Sequence, residues 1–450
     1  MTERKRIWGW YFFDWANQPY STLLMTFIFA PYFASAVAAD PVRGQQDWGT
    51  MLTVTGLCIA LLAPVLGAVA DSGGGRRGWI LLWSVFYVGG AFSLWWAEPG
   101  METTFWILVA FGLGVIGLEF GIIFTNAILP ELGPREALGR ISGSAWAFGY
   151  AGGVLSLLIV LAFLAENETG HTLIGLKPLF GLDPEAREGT RAVGPLTAAW
   201  YVLFVIPFFL WVPQDRRQTT RRQPIQATRA ALRDLGGTLR RLPRQPSLFA
   251  WLGSSMLFRD ALNGIYAFGG IYAAGVLGWD ITRIGLFGIV AAIAGAVFCW
   301  FGGRADSRFG PMPVIIACIC ALIAVCVIVV LTDRTMVLGM AVPAGSSLPD
   351  IAFFLCGGVI GAAGGSLQAS GRTMMVRQAN PARMTEAFGL YALSGKATAF
   401  LAPALVAMAT MITNDQRLGV APLIVLFILA LLLLFWVEPE GERITTCAAS

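Results

Sequence analysis

The sequence predicts an all-α membrane protein whose twelve transmembrane helices form two parallel, pseudo-symmetric six-helix bundles. Composition, the length of the apolar runs and an internal repeat lead there. Of 450 residues, 56% are hydrophobic and 13% charged, too few charges to cover a soluble chain of this size. The apolar residues come in unbroken runs, such as VIIACICALIAVCVIVVL over 314–331 and LIVLFILALLLLFWV over 423–437. The first has the length of a bilayer crossing, and the second reaches it with its flanking small residues. One soluble core could hide a single such helix but not a dozen.

Twelve segments carry this signal: 7–38, 48–70, 79–97, 104–129, 140–164, 196–213, 248–277, 282–302, 313–332, 349–375, 386–411 and 419–437. An even number places both termini on one side. The loops on that side carry twelve basic residues, among them Arg4, Lys5, Arg6, Arg135, Arg140, Arg304, Arg308, Arg377 and Arg383, and the central loop 214–246 adds nine arginines. The opposite loops carry seven: Arg43, Lys177, Arg187, Arg191, Arg283, Arg334 and Arg417. Positive residues stay inside, so the termini and central loop are expected in the cytoplasm. The predicted organisation is an N-terminal six-helix bundle over 1–213, a basic linker over 214–246 and a C-terminal six-helix bundle over 247–450. Within the linker, Leu232, Leu235, Leu239 and Leu242 have helical spacing among arginines. That pattern suggests an amphipathic helix on the cytoplasmic face, a topology-fixing linker that could also meet anionic lipid. The first apolar stretch is about twice the length of a signal-peptide core and contains Asp14 and Asn17, so it reads as an uncleaved helix. Trp8, Trp10, Trp95 and Trp96 near span ends read as interfacial anchors. The cysteines within apolar runs read as small hydrophobes, and the single histidine, His171, sits in an outer loop.

The two halves resemble each other. D-x-x-N-x-x-Y occurs at Asp14, Asn17 and Tyr20, and again 246 residues later at Asp260, Asn263 and Tyr266. G-x-x-x-D-S-x-x-G occurs at Gly67, Asp71 and Gly75, and again 235 residues later at Gly302, Asp306 and Gly310. Each half has six segments, so the repeat is parallel rather than inverted.

These G-x-x-x-D-S-x-x-G turns, the first followed by Arg76 and Arg77, resemble the cytoplasmic loop signature of the major facilitator superfamily. The second copy has Pro311 and Met312 in place of the paired arginines. The string WGWYFFDWANQPYSTLLMT in the first segment and RDALNGIYAFGGIYAAGVLGW in the seventh resemble the autophagy-related vacuolar amino-acid effluxer family and its prokaryotic relatives. Gln18 and Pro19 stand where that family usually has Ser-Ala. The resemblance covers essentially the whole chain. It implies the major facilitator fold, with segments 1, 4, 7 and 10 around a central cavity, and transport of a small solute, amino acids being the best-known case.

An ionisable group costs roughly 2.5–3.5 kcal/mol at the centre of a membrane helix even on the mild scale. Those within the predicted spans, beyond the first two residues of each, are Asp14, Glu119, Arg259, Asp260, Arg372 and Lys396, on segments 1, 4, 7, 10 and 11. Segments 3, 6, 9 and 12 have none. With Asn17, Tyr20, Asn126, Asn263 and Tyr266 they form the candidate substrate and proton pathway. Carboxylates there could attract an amino group, Arg372 or Lys396 could hold a carboxylate or phosphate, and Asp14, Glu119 or Asp260 could carry a coupling proton. The same residues could equally form salt bridges that fix helices. Gly67, Asp71, Arg76, Arg77, Gly302, Asp306 and Gly310 form a candidate gating set, because a turn carboxylate can pair with arginine or meet a helix N-terminus in one conformation and release it in another.

No H-x-x-x-H, C-x-x-C or P-loop pattern is present, which argues against metal chemistry, enzyme function and ATP-driven pumping. No cofactor or nucleic-acid partner is expected; the expected partners are the bilayer, a small-molecule substrate and a coupling proton, with a monomer plausible. The expected function is a proton-coupled secondary transporter of a small polar solute, the alternatives being an exporter of lipid-like or drug-like amphiphiles and a receptor that binds without transport. The expected location is a bacterial cytoplasmic membrane.

Overall fold

A computed structural model describes residues 2–38, 40–73, 75–167, 169–213, 233, 235–238, 240–279, 281–343 and 345–441. Its long helical elements are α1 (Glu3–Val37), α2 (Pro41–Gly73), α3 (Arg76–Ser93), α4 (Phe105–Asn126), α5 (Leu138–Phe163) and α6 (Val193–Trp211), then α7 (Pro246–Gly275), α8 (Ile281–Phe309), α9 (Pro311–Val330), α10 (Leu348–Gln378), α11 (Pro381–Thr413) and α12 (Ala421–Leu434). Among the described residues, eleven helices are long and apolar enough to cross a membrane. The twelfth segment, α7, has 30 residues and ample length. Its hydropathy is depressed by Ser254, Ser255, Arg259, Asp260 and Asn263. The only strands among the described residues are a two-residue hairpin, β1 (Met336–Val337) with β2 (Met340–Ala341), in the outer loop before α10.

Two helices depart from α geometry where proline dictates it. In α1 the α-helical part ends at Pro19 and π-helical turns follow over Tyr20–Phe27 and Phe33–Val37. Pro19 has no N–H to return to the carbonyl four residues earlier, that of Trp15. Trp200 Nε1 on α6 donates to that carbonyl instead, at 3.2 Å. In α11, Met384–Ala397 and Leu401–Thr413 are separate helices, whereas the sequence predicted one continuous span over 386–411. Pro403, in the first turn of the second piece, cannot bond back to Ala399.

The chain divides into two compact units. Met1–Leu62, Gly74–Ile128 and Ser144–Gln218 form the first; Ala63–Gly73, Leu129–Gly143 and Thr219–Ser450 form the second. The second unit thus takes in the C-terminal end of α2 and the N-terminal end of α5, where glycines bring backbones into contact. A Cβ on Gly389 of α11 would stand 2.5 Å from the Ala63 carbonyl oxygen of α2, and one on Gly143 of α5 would stand 2.4 Å from that of Cys299 on α8. The first unit is fastened by aromatic rings. Tyr87 stacks on Tyr201 at 4.1 Å between centroids, and the Tyr201 hydroxyl hydrogen-bonds to Ser84 at 2.7 Å. Trp8 and Trp96 are exposed, and Trp95 lies under the Arg191 guanidinium. Trp10 corrects the expectation: it is fully buried and donates to the Thr125 carbonyl at 2.9 Å, a core residue joining α1 to α4.

In the linker, 214–232, Asp234 and Leu239 lie outside the described residues, as does Arg443. Leu235 is buried against Ala68 of α2, with Val65 and Val69 alongside, so this leucine covers protein rather than lipid. In the second unit, Arg417, in the loop before α12, donates to Asp333 at 2.5 Å and to Asp415 at 2.8 Å. The hydrogen bond from Arg417 holds the Asp415 carboxyl below the usual carboxylate range.

Gly389→Ala is expected to cost about 1–3 kcal/mol from overpacking, read as a lowered Tm in detergent. Gly358→Ala, with nothing within 4 Å of its Cβ, is expected to leave Tm unchanged or raise it. A carboxylate with a depressed native pKa stabilises above its unfolded value of about 3.9 and loses that contribution as pH falls through the native one. Arg417→Gln is therefore expected to lower Tm at pH 6 and to flatten its fall between pH 5 and pH 3.

Candidate functional site

In the first unit, Asp14 is half-buried on α1, its backbone carbonyl against Gly149 of α5, where a Cβ would stand 3.2 Å away. Asn17 is buried, and its carbonyl accepts from the Tyr87 hydroxyl at 3.3 Å. Tyr20 is fully buried; its hydroxyl donates to the Phe111 carbonyl of α4 at 2.9 Å, beside Gly114. This contact fastens α1 to α4 and leaves Tyr20 no accessible surface. On α4, Glu119 is half-buried and Asn126 buried. A cavity of about 540 Å³ opens between the outer ends of α2 and α4. Met51, Val54, Gly112, Leu113 and Ile116 give it an apolar wall, and Arg43 and Asp47, paired at 3.9 Å, stand at its edge.

In the second unit, two neighbouring residues of α7 both reach α11. Arg259 Nη1 donates to the Tyr391 carbonyl at 2.8 Å, and the guanidinium lies 4.5 Å from the centre of the Tyr391 ring, against Gly395. Asp260 is 1% exposed and accepts from the Ala402 N–H at 3.0 Å. Ala402 is the second residue of the outer piece of α11, so Asp260 supplies the acceptor that an orphaned first-turn amide requires, and its charge suits that end of the helix. Lys396 lies half-buried in the last turn of the inner piece. The interruption of α11 is thus flanked by a lysine before it and a carboxylate after it. Asn263 and Tyr266 are exposed, and the Tyr266 hydroxyl rests on Gly364 of α10. Arg372 is 4% exposed and holds α5: Nε donates to the Ser142 hydroxyl at 3.1 Å and Nη2 to the Ser142 carbonyl at 3.0 Å.

The repeated G-x-x-x-D-S-x-x-G turn has a clear local logic. Gly75 (φ 78°) and Gly310 (φ 85°) close the two copies with positive φ, each preceding the first residue of the next helix, α3 or α9, a conformation that glycine adopts without strain. Gly67 and Gly302 open the copies at close approaches, Gly67 to the Thr385 backbone at 2.6 Å from its would-be Cβ and Gly302 to Ser366 at 2.7 Å. Between them lies a cap. Asp71 Oδ2 accepts from the Glu386 N–H of α11 at 2.8 Å, and Ser307 Oγ accepts from the Arg140 N–H of α5 at 2.8 Å. Arg140 and Glu386 are themselves 246 residues apart. Each copy therefore caps the entry of a helix in the opposite half of the sequence, the second shifted one residue from Asp306 to Ser307. Asp306 is buried against Gly139. A helix N-terminus, one of the two kinds of partner expected for Asp71, is thus present at the Glu386 amide. Arg77 binds the last carbonyls of α6, those of Phe209 and Val212, the latter at 3.0 Å, and Arg76 is buried. Ser142, Ser307 and Tyr391 were not singled out in the sequence. Only the repeat offset, which pairs Ser307 with the residue after Asp71, could have pointed to one of them.

Asp71→Ala is expected to destabilise the protein by about 0.5–2 kcal/mol, the usual cost of a lost N-cap. Faster hydrogen exchange at the Glu386 amide and a lower Tm in detergent would register it.

Comparison with known proteins adds the following. The family described as "Vacuole effluxer Atg22 like" matches residues 133–445. An uncharacterized MFS-type transporter, YxiO of Bacillus subtilis (strain 168), is 23% identical over 439 residues, covering 96% of this chain and 94% of that protein. Autophagy-related protein 22-1 of Neosartorya fischeri is 25% identical over 322 residues, covering 68% of this chain and 49% of that protein; the chain spans about half the length of such fungal relatives. Among solved structures, the human organic anion transporter MFSD10 superposes with TM-score 0.70 at 14% identity, covering 97% of this chain and 100% of that one. The proton:xylose symporter XylE gives 0.69 at 13%, covering 98% and 97%. At these identities the two structures show a shared major facilitator fold.

Proposed function

We propose, from the premise that this chain belongs to the Atg22-like vacuole effluxer family of the major facilitator superfamily, that it moves a small polar solute, an amino acid or similar, by proton-coupled alternating access. It is a multi-pass membrane transporter and not an enzyme. The observation that carries the finer reading is the interruption of α11 between Lys396 and the Ala402 amide held by Asp260. Broken backbone at membrane depth is tolerated where it is buried in protein or lines a cavity, and half-helix ends with flanking charges are how many transporters bind ions and zwitterions. Lys396 suits a substrate carboxylate. Asp260 suits proton coupling: a carboxylate makes the stronger, charge-assisted bond to an amide, so protonation loosens its hold on the outer piece of α11. The caps from Asp71 and Ser307 then act as latches, made when the cytoplasmic ends are closed and broken when they open. The excess of cytoplasmic-side arginines and the bacterial relative support a bacterial cytoplasmic membrane with both termini inside.

The apolar wall of the 540 Å³ cavity in the first unit favours a second reading, export of an amphiphile. Proteoliposome flux separates them. Under the first reading, amino acids are transported and a pH gradient accelerates them. Lys396→Gln then lowers affinity by roughly tenfold or more, the loss of one charged hydrogen bond, and Asp260→Asn removes the response to the gradient. Normal, gradient-dependent transport by both folded variants would refute these roles. Movement of lysolipids without amino acids would favour the second reading.

A further inference from the structure

The second unit contains a larger cavity, of about 1020 Å³, away from the α11 interruption and the residues assigned to solute. It lies among the end of the linker, the C-terminus of α10 and the N-terminal turns of α11. Five arginines line it: Arg233, Arg240 and Arg241 from the linker, Arg377 from α10 and Arg383 at the entry to α11. Among the described residues, Glu386 is the one acidic residue in its wall, against five arginines. Met375 and Leu390 contribute apolar surface.

Like charges gathered around one concavity repel, and concavity in a low-dielectric wall focuses their field. Arg383 reaches the Thr238 hydroxyl at 3.1 Å and Glu386 only at 3.8 Å. Arg377 pairs at 2.5 Å with Glu440, which also binds Arg135 at 3.1 Å. Among the described residues, no carboxylate pairs with Arg233, Arg240 or Arg241. Guanidinium groups arranged this way match phosphate oxygens, which accept two parallel N–H bonds from one arginine. The volume lies at the upper end of that of small-molecule sites, too large for a single phosphate ion.

We propose that this cavity binds an anion carrying two or more phosphate groups, either a soluble polyphosphate or the headgroup of a diphosphate lipid. The occupant bridges the linker to α10 and α11. Because Leu235 of the same linker packs on Ala68 of α2, it also ties the linker to the region where Asp71 caps α11. The site does not depend on which solute is carried.

The test uses the purified full chain in neutral detergent at constant ionic strength, and in nanodiscs of phosphatidylcholine with or without cardiolipin. Tripolyphosphate, with sulfate as the control anion, serves as the soluble probe. The expected result is a rise in Tm with tripolyphosphate, with cardiolipin, or with both, that sulfate does not reproduce. Arg240→Gln/Arg241→Gln, at two exposed positions, weakens the response by roughly tenfold or more while leaving the ligand-free Tm in place. If that double variant loses its fold, Arg233→Gln repeats the test. A response to tripolyphosphate identifies a soluble source, and a response to cardiolipin alone identifies lipid. No rise beyond that given by sulfate and phosphatidylcholine, or a rise equal in wild type and variants, overturns the site.

Discussion

A backbone amide in hydrocarbon has no water to turn to, and leaving one unpaired costs several kcal/mol. The helices that begin within or near the membrane here therefore depend on acceptors brought from elsewhere in the chain. α11 presents this demand twice, at Glu386 where it enters and at Ala402 where it resumes. Both demands are met by aspartate, Asp71 from α2 and Asp260 from α7. α5 presents it once and receives Ser307 from α8. Each acceptor is polar enough to hold a helix end and sits on a different helix, so these bonds also fix how the helices are arranged.

This constraint explains why the turn motif has its form. Gly67 brings α2 close to α11, and Gly303, next to the second copy's opening glycine, brings α8 close to α5, so that a short side chain reaches the neighbour's first amides. The aspartate or serine makes the bond, and the closing glycine turns the chain at once into the next helix. Arg372 does related work from the other direction, satisfying the Ser142 carbonyl and hydroxyl of α5. Arg259, Asp260 and Arg372, costly when viewed one segment at a time, each bind a backbone group of another segment.

The helices, their order and the repeat were legible in the sequence because run length and offset survive without any knowledge of partners. What a given charge touches was not. Asp71 meets an amide 315 residues away, and local spacing pointed equally to the arginines beside it. The interruption of α11 left only Pro403 as a signal, and a proline that sits comfortably in the first turn of a helix does not reveal whether a helix begins there. Trp10 resembled its neighbour Trp8 in sequence, yet faces the opposite way because two residues along a helix are 200° apart. Tyr20 and Tyr266 occupy equivalent positions in the repeat, but the π-helical turn beginning at Tyr20 buries one ring while the other stays exposed.

The polarity of α7 bears on how the polypeptide is made. Arg259 and Asp260 are among the residues that keep its hydropathy below that of the other eleven, and their partners, the Tyr391 carbonyl and the Ala402 amide, lie 132 and 142 residues downstream. When α7 leaves the ribosome, nothing yet synthesised offers it those bonds. Those two bonds form only once α11 has been made, so the native packing of α7 is completed late in synthesis.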